Sequence, residues 1–319
     1  SIVIASGDKN SVPAGSALAV DRDLFSQEIT SKLSNHPNIT FKREEVVEIP
    51  QEGPVIIATG PLTSPRLSEQ ISKLIGQEYL YFYDALSPIV DANSIDYDKA
   101  FFASRYDKGD ADYLNCPMNA EQYYEFVREL KASEKVPFAS FEKAIYFEGC
   151  MPIEELAERG DRTLAFGPLK PVGLPDPKTG RVAHAVVQLR RENRESSAYN
   201  LVGFQTKLTY PEQKRVFSMI PGLENAEFFR FGAIHRNTYI NSPSLLNSEL
   251  ELKSHPGTYF AGQVTGVEGY VESSAMGLLA GLSAVAKITG SPYTPPPADT
   301  ALGALINYLT ASRSKGFQP

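Results

Sequence analysis

Cysteine is scarce in this chain, with only Cys116 and Cys150 among 319 residues. That scarcity excludes a disulfide framework and a cysteine-built structural zinc site. The four histidines (His36, His184, His235 and His255) lack the close spacing of metal ligands. No metal is expected. No apolar run approaches the ~18 residues of a spanning segment, and no secretory apolar stretch opens the chain. A cytoplasmic protein without a membrane partner is the expectation. Positive charge is in deficit too: 31 basic against 38 acidic residues leave a net charge of −7. Such a balance gives no global field for nucleic acid, so any RNA must meet a local patch. Also missing, anywhere in the chain, is a G-x-G-x-x-G turn. The chain opens SIVIASGDKN without Met and closes KGFQP, and it reads as trimmed at both ends.

What remains is ordinary globular material, 42% hydrophobic and 22% charged, which excludes disorder for the bulk of the chain. LFSQEITSKLSNH (24–36) has helical periodicity behind a plausible cap at Asp23. ITFKREEVVEI (39–49) has the β-branched residues of a strand. PVIIATG (54–60) reads as a buried parallel strand. SPRLSEQISKLIG (64–76) reads as a helix with cap Ser64, Pro65 at its first position and Gly76 at its stop. Strand, glycine turn and capped helix together predict an α/β doubly wound sheet.

From about Tyr81 the texture turns Tyr- and Phe-rich, with one helix predicted over 119–135 and capped by Asn119 and Gln122. A strand pair is expected at 184–191 and 198–206. The αβ texture returns at TYFAGQVTGVEGY (258–270) and the Ala- and Gly-dense helix after it. A short amphipathic helix closes the chain. The expected division is a discontinuous α/β domain of residues 1–80 and 245–319, interrupted by a mixed α/β domain of residues 81–244.

Five segments carry chemistry. The strand at 258–262 runs into Gly262, Gly266 and Gly269 and then a helix. That arrangement suits an anionic group or is a bare tight turn. Gln263 lies within the turn, and Glu268 suits sugar or ribityl hydroxyls. IIATG contributes Ala58, Thr59 and Gly60 as a second candidate contact. In FEGCMPIEELAERGDRTLAFGPLKPVGL (147–174), Cys150 sits between Gly149 and Met151-Pro152, with Arg159, Arg162 and Lys170 near in sequence. Positive neighbours raise a thiol's thiolate fraction, while the opposing reading is a buried, inert cysteine. Cys116 reads as packing. The local basic features are Arg190, Arg191 and Arg194, which also fit a solvated strand face, and His235, Arg236 and Asn237 beside Phe231 and Tyr239. The second group suits a stacked heterocycle or a flipped base.

FEGCMPIEELAERG, FGPLKPVGL, GFQTKL, QKRVFSMIPGLE, HRNTYINSP and FAGQVTGVEGYVESSAMG together resemble the folate- and flavin-dependent tRNA uracil-C5 methyltransferases (TrmFO). VPAGSALAVDRDLFS, YLNCPM and ALGALINYLT match as well, so the resemblance covers nearly the whole chain. It implies an FAD-binding Rossmann-like domain of glutathione-reductase type, interrupted by a mixed α/β domain. It implies methyl transfer from 5,10-methylenetetrahydrofolate to C5 of the T-loop uridine (position 54) of tRNA, with FAD as cofactor and NAD(P)H as reductant. Cys150 is then the thiolate that attacks C6 of uracil, and Tyr270 packs at the flavin ring. Two departures stand out: the family's opening dinucleotide turn is absent together with a second family cysteine, and the C-terminal end is short. The alternatives are a related flavoprotein acting on wobble uridine and a non-catalytic tRNA-binding module.

Overall fold

The computed structural model describes residues 1–15, 17–107, 110–137, 146, 150–311 and 316–318. The chain divides into two units: residues 1–39 with 83–235, and residues 40–82 with 236–319. It passes between them within β4 (Leu80–Ala85) and β11 (Ile234–Tyr239).

The first unit is built on an antiparallel sheet in the order β10-β5-β9-β8-β7-β6. Its strands are β5 (Ile89–Asp91), β6 (Phe101–Ala103), β7 (Tyr113–Met118), β8 (Ala185–Arg191), β9 (Ala198–Leu201) and β10 (Phe228–Arg230). The long pair sets Cys116 opposite Val187 and Leu114 opposite Leu189. Alternation puts these apolar residues on one face. There they join Tyr123, Phe126, Val127 and Leu130 of α4 (Ala120–Ala132) and Val216 and Phe217 of α7 (Tyr210–Phe217) in one core. Helix α4 starts as its sequence dictates: Asn119 accepts from the Gln122 amide, and the Gln122 side chain closes the box on the Asn119 amide. Short helices α5 (Ile153–Glu158) and α6 (Thr163–Phe166) add Ile153, Ala157 and Leu164 to that core.

Residues 1–39 were expected in the dinucleotide-type domain, yet their contacts group them with this sheet. They form α1 (Ile2–Lys9), the small hairpin β1 (Ser11–Val12) and β2 (Ala19–Val20), and α2 (Arg22–Ser34), capped by Asp21. Specific bonds hold them: Tyr113 donates its hydroxyl to Ala14 O at 3.1 Å, and Gly15 N donates to Asp112 Oδ2 at 2.7 Å. Arg194 N donates to Asp21 Oδ2 at 3.3 Å. The contact grouping divides the chain at 82/83 and 235/236, beside the expected breaks at 80/81 and 244/245. Residues 39–49 form no strand. The Lys42–Glu45 charge cluster leaves that segment too solvated to join a ladder.

The second unit carries the parallel pair β3 (Val55–Ile57) and β12 (Thr258–Phe260), with Ile57 opposite Phe260. Helix α3 (Pro65–Ile75) follows β3 and stops at Gly76, whose φ of 65° is left-handed. It buries Leu67, Ile71 and Ile75 against Ile57, Phe260, Val264 and Leu245 of α8 (Ser242–Leu245). Helix α9 (Tyr270–Thr289) follows the glycine turn, and α10 (Ala301–Thr310) follows the proline stop. Helix α9 buries Met276, Leu279 and Ala280 but leaves Leu278, Leu282, Val285 and Ile288 exposed. Its 20 residues and mean hydropathy of 1.3 meet the length and composition of a spanning segment. The expectation of no such run overlooked it because Ala, Gly and Ser, rather than bulky apolar residues, make up much of the length.

Candidate functional site

Cys150 is half-buried, and Met151-Pro152 leads from it into α5. Phe147, Glu148 and Gly149 of the FEGC block lie outside the described residues. Cys116 is the opposite kind of thiol. It is fully buried in β7, and desolvation pushes its thiol up to about 12. A thiol so hard to ionise is no nucleophile at neutral pH, which agrees with its reading as packing.

The residues flanking Cys150 are tied to Gln205–Lys207. Ile153 N donates to Gln205 O at 2.7 Å. The wholly buried Glu154 accepts from Thr206 Oγ1 at 2.9 Å and from Lys207 N at 2.8 Å. Burial pushes the Glu154 carboxyl above its ordinary range, against the pull of those bonds. Lys207 Nζ donates to the Tyr146 hydroxyl at 2.7 Å and pairs with Glu155 Oε1 at 2.9 Å. Burial, then the charges of Glu155 and Glu154, hold the Tyr146 phenol well above its usual range, so it stays protonated. Arg159, Arg162 and Lys170, the cations near Cys150 in sequence, are exposed, and Arg162 stacks on Phe166 with its guanidinium 4.9 Å from the ring centre. Tyr146, Glu154 and Lys207 are site residues that the sequence did not reveal. The only signal was that Lys207 lies in GFQTKL, far along the chain from Cys150.

In the second unit, the parallel register brings the carboxyl ends of β3 and β12 side by side. Ala58, Thr59 and Gly60 therefore lie next to the turn that opens at Gly262, where crevices of α/β sheets take ligands. Gly60 and Gly262 have φ of 73° and 74°, and a Cβ on either would meet nothing nearer than 3.8 Å. The side of Gly60 is open, whereas a Cβ on Gly262 would rest in ordinary contact with Ser273. Gly266 and Gly269 differ from this pattern. A Cβ on Gly266 would lie 2.7 Å from the Phe317 ring, and one on Gly269 would strike the Glu272 carboxylate. Both glycines make room for protein. Gln263 Nε2 donates to Glu268 Oε2 at 3.4 Å, and Tyr270 is 80% exposed at the start of α9. No side chain caps that helix, and the buried Ser273 hydroxyl has no hydrogen-bond partner among the described residues.

Arg190 and Arg191 are adjacent in β8 and so project to opposite faces. Arg191 takes the face of Leu189 and stacks on Phe102, 5.7 Å from the ring centre. Arg194 is exposed. In β11 the same alternation sets Arg236 apart from His235 and Asn237. Arg236 is exposed and its guanidinium lies 4.2 Å over the Tyr81 ring, whereas Asn237 is buried.

Residues 1–292 match the family model described as glucose inhibited division protein A, which sets the class of protein. Two solved structures of Aquifex aeolicus GidA share the fold, with TM-scores of 0.70 and 0.69 at 19% and 18% identity. They are matched over 97% and 99% of this chain, which spans 58% and 64% of theirs. Two Methylenetetrahydrofolate--tRNA-(uracil-5-)-methyltransferases TrmFO are far more similar. Those of Citrifermentans bemidjiense and Heliobacterium modesticaldum are each 61% identical over 320 residues, covering 100% of this chain and 73% of the relative. The chain belongs to the TrmFO family, within the glucose inhibited division protein A class.

Proposed function

We propose that this chain is the greater part of a tRNA methyltransferase. It transfers a methyl group from 5,10-methylenetetrahydrofolate to C5 of the T-loop uridine at position 54, with FAD as cofactor and NAD(P)H as reductant. The reading also takes tRNA as partner, the cytoplasm as compartment, and no metal. Its main support is the one accessible cysteine, Cys150, in a chain 61% identical to TrmFO enzymes.

C5 of uracil is a weak nucleophile until an anion adds at C6. The Cys150 thiolate supplies that addition, after which C5 attacks the methylene carbon carried by folate. Loss of the C5 proton and cleavage of the bond between the methylene carbon and the folate nitrogen release tetrahydrofolate and leave an exocyclic methylene. A hydride equivalent delivered to it gives the methyl group, and departure of the sulfur from C6 restores the ring and frees the thiolate. Burial holds Cys116 out of this step.

The glycine turn fits a flavin dinucleotide on three counts: the open side of Gly60, the uncapped start of α9, and the unpartnered Ser273 hydroxyl. Thr59, Gly60, Gly262 and Gln263 would hold it, with Glu268 at its hydroxyls and Tyr270 against its ring. When bound, the flavin supplies the electrons that reduce methylene to methyl. Gly266 and Gly269 would shape the turn and offer their backbone to the ligand.

Nucleoside analysis of tRNA treated with the full-length enzyme tests the reading. The methyl group should appear at uridine 54. A modified wobble uridine, with position 54 untouched, would assign the chain to the other branch of its class.

A further inference from the structure

The described residues on either side of Cys150 share one anchor. Downstream, Ile153 N is bonded to Gln205 O, and Glu154 takes the Thr206 hydroxyl and the Lys207 amide. Upstream, Tyr146 is held by the Lys207 ammonium at 2.7 Å, with that ammonium 5.5 Å from the centre of its ring. Tyr146 also bridges Tyr83 through its backbone. Lys207 keeps only 10% of its side chain exposed and Glu155 26%. The ammonium between Tyr146 and Glu155 is therefore largely removed from water.

Such an ion pair is a weak source of net stability, because desolvating both charges offsets much of their attraction. What it supplies is geometry: three donors fixed between a phenol and a carboxylate that stand on opposite sides of the cysteine in the chain. An alkyl side chain of equal length would fill the same space without holding either group.

We propose that Lys207 is a positioning residue for Cys150. Its ammonium ties Tyr146 to Glu155, one on each side of the thiol in the chain. This rests on Cys150 being the reacting group, but its test needs neither tRNA nor folate, so the two claims fail separately.

The test is the rate at which a bulky maleimide labels Cys150 in the native chain at fixed pH, followed by peptide mass mapping. Cys116 is buried and serves as the internal control. In Lys207→Met the half-buried thiol should become more accessible and label several-fold faster, with Cys116 still protected. Lys207→Arg, which can donate to both partners, should restore the wild-type rate. Tyr146→Phe removes the hydroxyl that accepts from Lys207 and contacts Glu155, and should reproduce part of the Met effect. It decides the matter if Lys207→Met does not fold. An unchanged or slower rate in Lys207→Met, or equal acceleration in the Met and Arg variants, would overturn the proposal. So would an unchanged rate in Tyr146→Phe should the Met variant not fold.

Discussion

Ala261 N donates to Ile57 O at 3.0 Å, just past the paired ends of two parallel strands. That bond sets the exit of β3 level with the exit of β12, although about two hundred residues separate them. Both glycine turns of the proposed flavin site depend on this alignment. Gly60 has open space beside it, and Gly262 has room for a Cβ in ordinary contact with Ser273, so these are the positions where a small side chain fits the protein and would compete with the proposed ligand.

Gly262→Ala should therefore lower flavin content in the full-length enzyme while the protein still folds. Its left-handed φ of 74° costs an alanine about 1–2 kcal/mol. Gly266→Val should behave differently, because its side chain is driven into Phe317 and Tyr239. Overpacking of this kind costs about 1–3 kcal/mol. Visible absorbance read beside unfolding midpoints separates the two effects. A Gly266→Val protein of normal stability that lacks flavin would reverse the assignment.

Glu154 makes stability depend on pH in an unusual direction. Burial raises its carboxyl in the folded state above the ordinary value of 4.5. The folded chain then binds this proton more tightly than the unfolded chain does. Its contribution is full below the ordinary value and falls as pH rises through the raised one. Glu154→Gln should flatten that decline in denaturant titrations across the window. Glu154→Ala should cost about 2 kcal/mol, since it leaves the buried Lys207 amide without an acceptor.

The two arginines of β8 should separate on substitution. Arg190→Ala should weaken tRNA binding and flatten its salt dependence, because fewer neutralised phosphates release fewer counterions. Arg191→Ala removes the stacking on Phe102 and should lower stability with little change in the salt slope. Binding isotherms at several salt concentrations would show the difference. Equal salt slopes for the two variants would place the RNA on neither face.

Local signals are legible in the sequence because local chemistry decides them. The Asn119–Gln122 box, the Pro65 start and the Gly76 stop are each settled within a few residues. The glycine turn after β12 is legible for the same reason. Residues 39–49 mislead, since β-branched residues describe a surface that fits a ladder, and here no partner strand accepts it. The place of residues 1–39 depends on bonds such as Tyr113 to Ala14, which no periodicity encodes. Lys207 is hidden in the same way, since it lies fifty-odd residues from the cysteine it serves. Gly266 and Gly269 look equivalent to Gly262 in the sequence, and only what stands over each of them separates their roles.

The central claim is that Cys150 is the nucleophile of methyl transfer to tRNA. Its most direct test is methylation of position 54 by full-length enzyme carrying Cys150→Ala or Cys116→Ala, with bound flavin measured alongside. The account predicts that Cys150→Ala keeps its flavin and loses methylation, while Cys116→Ala keeps most activity. Methylation that survives in Cys150→Ala, or falls equally in both, would contradict it.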